Sequence, residues 1–180
     1  MTGIEHWIRL SKYLARVELS QLISSAGVVE SQWHGSPLHS RCPESYRRFI
    51  HILGYPSVYL DPEVSLAFLP LELAEKYTAE LNLERGFVFA VVDPTHSIKL
   101  AFLADGRGHT VHTFDANEYL GKSGTFDEWM GQQVAFWLRI LAKSSLSSIY
   151  VNRRLPEDDP LNVLTPSEVA HPQLPGDATP

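Results

Sequence analysis

The chain of 180 residues contains a single cysteine, Cys42, so no disulfide bond can form within it. A lone cysteine is typical of proteins in a reducing compartment, and the Cys-x-x-Cys spacing of structural zinc sites is absent. The sequence also lacks the run of about 18 apolar residues that a membrane-spanning helix needs. Charges interrupt the first 20 residues, which therefore do not resemble a secretory signal. Together these absences predict a cytoplasmic protein with no membrane contact.

Basic residues are in deficit, with 15 Lys and Arg against 21 Asp and Glu, which gives a net charge of −6. This balance disfavours nucleic acid as a direct partner. The acidity is concentrated in residues 49–149, which carry seven basic and twelve acidic side chains. It has two interpretations: a solvated surface that aids solubility, or a face that speeds the encounter with a basic protein partner.

Sequence patterns that carry chemistry are missing as well. No serine lies in the Gly-x-Ser-x-Gly turn of a hydrolase, and Cys42 abuts Pro43 without the local signature of a thiol protease. The glutamates of residues 72–84 lie on one predicted helix and lack a second convergent carboxylate, which paired acid–base chemistry requires. The sequence therefore predicts no catalytic residue, no cofactor and no metal ligand.

The stretch DGRGHTVHTFD, residues 105–115, is where a metal or phosphate site would be sought. Alternate residues of a strand point to opposite faces, so His109 and His112 cannot bind one ion from a regular strand. A phosphate-binding glycine loop leads into a helix, whose free N–H groups hold the anion, but here the glycines lead into a strand pattern. We therefore interpret the stretch as a hairpin whose loop uses its glycines for a tight turn.

Hydrophobic spacing predicts an α+β fold. Helices are predicted at residues 4–17, from Pro43 as first helical residue with Gly54 as terminator, after Pro70, and from a capping box formed by Thr125 and Glu128. Strands are predicted at residues 57–60, 86–92, 98–105 and 109–115, with 148–152 as a further candidate. The expected architecture is one domain over residues 1–152, with a small antiparallel meander of about four to six strands flanked by helices. Residues 153–180 hold six of the twelve prolines and are expected to form an extended or disordered tail.

Three segments then follow one another in a recognisable order: PESYRRFIHILG, AFLADGRGHTVHTFD and TFDEWM. This order resembles the SUKH superfamily, in which a Pro-x-x-Tyr-x-x-Phe helix ends in glycine. A sheet meander with a Gly-x-Gly-like turn and a following Asp comes next, and a Phe-x-x-Trp helix closes the pattern. The resemblance covers about residues 30–140. It departs from the usual pattern at Cys42, where an apolar residue is common, and at residues 54–56, where Asn-Gly-Gly is frequent.

The resemblance implies an immunity protein that binds and neutralises a cognate bacterial toxin by occlusion, with no chemistry of its own. The acidic middle of the chain suits a basic toxin such as a nuclease. The residues predicted to contact the toxin are Tyr59, Asp61, Glu63, Glu72, Glu75, Asp115, Glu118 and Tyr119. For each acid, a solvated surface charge is the competing interpretation. Two other functions stay open: an adaptor or chaperone for a secreted effector, and an enzyme whose site assembles from distant residues.

Overall fold

A computed structural model describes residues 1–17, 19–24, 33, 35–61, 64–92, 95–106 and 108–143. Its strands form one seven-stranded antiparallel sheet, in which the spatial order is the order along the chain. The strands are β1 (Ile23–Ser24), β2 (Ser57–Asp61), β3 (Val64–Phe68), β4 (Gly86–Val91), β5 (Ile98–Asp105), β6 (Gly108–Asp115) and β7 (Glu118–Lys122). The helices are α1 (Gly3–Arg16), α2 (Glu44–Leu53), α3 (Leu71–Glu80) and α4 (Phe126–Lys143), and two short 3-10 segments lie at Ser20–Leu22 and Pro37–Arg41.

Helix α2 shows how local sequence sets these bounds. Its four apolar residues at i, i+3, i+4 and i+7 are all buried: Tyr46, Phe49, Ile50 and Leu53. The helix ends at Gly54, whose φ of +75° and ψ of −145° are strained for any residue with a β-carbon. At the other end the prediction is off by one residue, because Pro43 is the extended residue before the helix and Glu44 is the first helical residue.

An aromatic core fills the space between one face of the sheet and helices α1, α2 and α4. Tyr46 lies at its centre, with ring centroids 5.4 Å from Phe89, 5.1 Å from Phe102 and 5.4 Å from Phe126. Phe89 and Phe102 are neighbours on β4 and β5 and stack at 4.1 Å. Because these rings come from two strands and two helices, their contacts fix how the helices lie on the sheet.

Helix α3 covers the opposite face of the sheet. Lys99 is three residues from Phe102 on β5 and therefore points away from the aromatic core. Its ammonium lies 5.3 Å from the ring centroid of Tyr77 on α3. The hydroxyl of Thr78 accepts a hydrogen bond from the backbone N–H of Val88 at 2.9 Å, which ties α3 to β4. Helix α3 thus covers one face of the sheet, and helices α1, α2 and α4 cover the other face.

The predicted α+β class with an antiparallel meander is confirmed, and so are the four helices and strands β2, β4, β5 and β6. The sheet has seven strands, so the expected four to six was too few: β1, β3 and β7 were not predicted. On α4, Phe136 is 43% exposed although it is large and apolar, because it lies about 100° around the helix from buried Trp137. The candidate strand 148–152, the tail 153–180 and the domain boundary between them lie outside the described residues.

Candidate functional site

Three of the residues predicted to contact a partner lie together on the β6–β7 hairpin. Asp115 ends β6 and Glu118 begins β7, and the two residues are direct partners in the ladder. The intervening turn has Ala116 at φ +49°, and the Ala116 N–H donates to the carbonyl of Ser97 at 2.8 Å, which holds the turn against the start of β5. Both carboxylates are exposed. Two like charges directly opposite one another across a ladder repel, so this end of the hairpin favours an incoming cation.

Tyr119 is the exposed aromatic residue of the hairpin, with 52% of its surface accessible. Its ring lies 5.7 Å from the ring of His112 and 5.6 Å from that of Phe114, centroid to centroid. Phe114 is buried and faces Tyr119 across the ladder. A tyrosine supported on two sides loses little side-chain freedom when it binds a partner, which is the character of residues that dominate binding energy at interfaces.

The carboxylates and the tyrosine point to opposite faces of the hairpin. Phe114 and Asp115 are consecutive on β6, so their side chains alternate, and each shares its face with its ladder partner. Glu118 therefore lies on the face of Asp115, and Tyr119 lies on the face of Phe114. The two features meet only along the outer edge of β7.

Strand β7 is irregular at Leu120. The ladder steps from Phe114–Tyr119 to Thr113–Gly121, so Leu120 is an extra residue on β7, that is, a β-bulge. Its side chain is 55% exposed. Tyr119 and Leu120 are therefore two consecutive large side chains exposed on the edge strand, and exposed apolar groups commonly mark places where partners bind.

A compact polar group completes this surface. The ammonium of Lys122 lies 2.6 Å from a carboxylate oxygen of Asp105, and Nε2 of His112 lies 3.0 Å from the Thr110 hydroxyl. The Nδ1 atom of His112 is enclosed and has no hydrogen-bond partner among the described residues. Burial lowers the pKa of His112, and the charge of Lys122 adds to this effect while that of Asp105 opposes it. The ring therefore favours its neutral form. We refer to Asp105, His112, Phe114, Asp115, Glu118, Tyr119, Leu120 and Lys122 as the hairpin surface.

The other predicted contact residues lie elsewhere. Glu72 and Glu75 are exposed on α3, and Glu75 accepts a hydrogen bond from the Ser36 hydroxyl at 3.0 Å. Tyr59 is half-buried on β2, which ends at Asp61, and Glu63 lies outside the described residues. Strand β2 is separated from β7 by five inter-strand spacings, about 24 Å at the usual spacing. The structure thus brings together Asp115, Glu118 and Tyr119 and separates them from the residues of β2.

Sequence reasoning missed five members of the hairpin surface: His112, whose ring supports Tyr119, and Asp105, Phe114, Leu120 and Lys122. The available signal was the segment DANEYLGK, in which a short turn separates two strand-like segments. The bulge at Leu120 breaks the alternation that would have identified β7 as a strand.

A second polar cluster bears on the enzyme alternative. The hydroxyl of Tyr77 lies 2.6 Å from Nδ1 of His96, and Lys99 packs over the same tyrosine ring. All three side chains are buried beneath α3, so they join the helix to the sheet and offer a substrate no open approach. Burial also raises the pKa of Cys42 to about 12, which keeps its thiol protonated and unreactive as a nucleophile.

Comparison of the chain with protein-family models, with curated proteins and with solved structures finds no match. Among the described helices, none has the length and apolar character needed to cross a membrane. Within the same described residues, no three His, Cys, Asp or Glu side chains are grouped so that they could hold a metal ion.

Proposed function

We propose that this chain is a cytoplasmic immunity protein of the SUKH type, which binds a cognate protein toxin and neutralises it by occlusion. The observation that carries the proposal is the hairpin surface, where supported Tyr119 and exposed Leu120 lie on the same edge strand as Glu118, whose carboxylate is paired with that of Asp115 on the opposite face. An exposed aromatic residue with acidic neighbours suits a basic protein partner. The α+β architecture is of the class that the resemblance implies.

The chain's charge supports the choice of partner. Its net charge of −6 favours encounter with a cationic surface, and enzymes that cleave nucleic acids are commonly cationic. The two acids at the hairpin end have no ion-pair partner among the described residues, whereas Lys122 is already paired with Asp105. The hairpin surface therefore presents uncompensated negative charge to an approaching partner.

The test uses the purified chain and the toxin candidate encoded by the neighbouring reading frame. We expect toxin activity to fall to zero at one equivalent of the chain and the two proteins to form a stable complex. Tyr119→Ala is expected to weaken the complex by about 30-fold, the equivalent of about 2 kcal/mol for a central interface residue. Glu118→Lys is also expected to weaken the complex, and the loss of affinity should grow as the salt concentration falls. The reason is that repulsion between the new lysine and a basic toxin is then less screened.

Glu80→Lys is the matched control, since it makes the same charge change at an exposed position on α3 that was not predicted to contact the toxin. It is expected to leave affinity within about threefold, because a charge outside an interface changes mainly the long-range encounter. A complex that leaves toxin activity intact would instead indicate an adaptor or chaperone. If the chain neither binds nor protects against the candidate toxin, this function is wrong for that pair.

A further inference from the structure

Among the residues that the structure describes, the outer edge of β7 is an open position in the sheet. Within the described residues, β7 pairs with β6 on one side and with no strand on the other. Four of its five residues are exposed, and the fifth is Gly121. An edge strand carries backbone N–H and C=O groups that are free to pair with another chain.

We propose that the partner binds by adding one of its own extended segments to β7 as an eighth strand. This inference rests on the proposed function, because it specifies how the same hairpin surface would be used. Its main support is that Glu118 and Tyr119 point to opposite faces of the sheet. A partner docked flat on one face reaches only one of these side chains. A strand laid along the edge reaches both, since its own side chains alternate between the same two faces.

The side chains of β7 leave the edge open to such a strand. A lysine on an edge strand commonly prevents pairing, but the Lys122 ammonium is drawn back across the sheet to Asp105 at the end of β5. A bulge can also protect an edge, by twisting it away. Here the bulge places the side chain of Leu120 at the edge, where it adds apolar contact area to that of Tyr119.

Charge and apolarity define the incoming segment. On the face of Asp115 and Glu118, the segment carries lysine or arginine, because a cation beside Glu118 offsets the repulsion between the two carboxylates. On the face of Tyr119, it carries an apolar residue that packs against the exposed ring. The occupant is therefore a segment of alternating basic and apolar residues.

The first experiment uses synthetic peptides on the full-length chain. An eight-residue peptide of alternating lysine and valine is titrated while the backbone amide signals of the chain are followed by NMR. We expect shifts concentrated at residues 118–122, together with slower amide exchange there. The glutamate–valine counterpart should bind at least tenfold more weakly, because its charges repel Asp115 and Glu118. A lysine–valine peptide that is N-methylated on alternate residues should not bind, because it cannot complete the ladder. Equal binding by the N-methylated peptide, or shifts centred away from β7, would overturn the proposal.

The second experiment separates this inference from the proposed function. Leu120→Pro blocks the edge at the bulge, and Leu120→Ala is its control for the lost side chain; both variants are first checked by thermal unfolding. If the edge carries the partner, Leu120→Pro loses toxin binding at least tenfold beyond Leu120→Ala. If the wild-type chain protects against the toxin and folded Leu120→Pro protects equally well, strand addition is wrong while the immunity function stands. If Leu120→Pro does not fold, the N-methylated peptide decides the question. If the lysine–valine peptide binds at β7 but no toxin is neutralised, the function is wrong and the edge still accepts strands.

Discussion

Replacing Tyr46 with phenylalanine removes one oxygen atom from the centre of the aromatic core. The side chain is fully buried, and its hydroxyl has no hydrogen-bond partner among the described residues. Burial also raises the pKa of this phenol well above its usual value, as expected in apolar surroundings. A buried hydroxyl without a partner costs about 1–3 kcal/mol, because it gives up its hydrogen bonds to water on folding. The ring contacts that hold the core remain in the variant.

We therefore expect Tyr46→Phe to raise the free energy of unfolding by about 1 kcal/mol, since part of the gain is lost with the contacts of the oxygen atom. For a domain of this size, that change corresponds to an increase in Tm of about 2–6 °C. Urea unfolding followed by tryptophan fluorescence measures the free energy directly, and calorimetry gives the Tm.

Tyr55→Phe is the matched control, because it deletes the same atom where the atom has a partner. The Tyr55 hydroxyl accepts a hydrogen bond from Nε1 of Trp33 at 3.0 Å, and both side chains are buried. We expect this variant to be less stable by about 1–2 kcal/mol, since the indole N–H then loses its acceptor. Opposite signs for the two substitutions support the reasoning. A loss of 1 kcal/mol or more in Tyr46→Phe would refute it, because the hydroxyl would then have a partner that stabilises the fold.

Three further predictions concern the ends of helices and the response to pH. Gly54→Ala should destabilise the fold by about 1–3 kcal/mol in urea unfolding, because the residue has φ +75°. Gly121→Ala is the control, because the added methyl group would have open space around it. It should change stability by less than about 1 kcal/mol. Thr125→Ala should lower the free energy of unfolding by about 1 kcal/mol in the same assay. The threonine hydroxyl accepts a hydrogen bond from the N–H of Glu128, and the Glu128 carboxylate accepts one from the N–H of Thr125. An unchanged free energy of unfolding would mean that the capping box does not stabilise α4. Burial is the main cause of the lowered pKa of His112. As the pH falls, the unfolded chain therefore takes up a proton at a higher pH than the folded chain does. Stability should thus be complete above about pH 6.5 and decrease as the pH falls toward the folded-state pKa. His112→Gln should remove that part of the pH dependence in unfolding measurements, and an unchanged slope would contradict the assignment.

Local sequence signals predicted those parts of the fold that depend on near neighbours. Helix α2 was identified from four apolar residues at helical spacing and a terminal glycine, and α4 from the pairing of Thr125 with Glu128. The predicted strand at residues 86–92 is apolar at every side-chain position, which is typical of a strand covered on both faces, and every residue of β4 is buried. In each case the decisive interactions lie within one element or its immediate flanks.

The candidate site was predictable only in part, because its geometry depends on the ladder. The sequence predicted that Asp115, Glu118 and Tyr119 contact a partner, but the bulge at Leu120 hid the strand that carries two of them. The acidic composition of residues 49–149 also gave no reason to prefer Tyr119 over Tyr59 as a contact residue. The five strand spacings between β2 and β7 follow from the order of strands in the sheet, which no local pattern encodes.

The strictly sequential order of the seven strands has a consequence for how the molecule is made. From β2 onward, each strand pairs with the next strand along the chain, so this part of the sheet can grow one strand at a time as the polypeptide leaves the ribosome. Part of the aromatic face of that growing sheet nevertheless stays open to water until the last described helix arrives, since Phe126 and Trp129 supply rings that close over it. Nascent chains halted before residue 126 should therefore bind chaperones, and completed chains should release them.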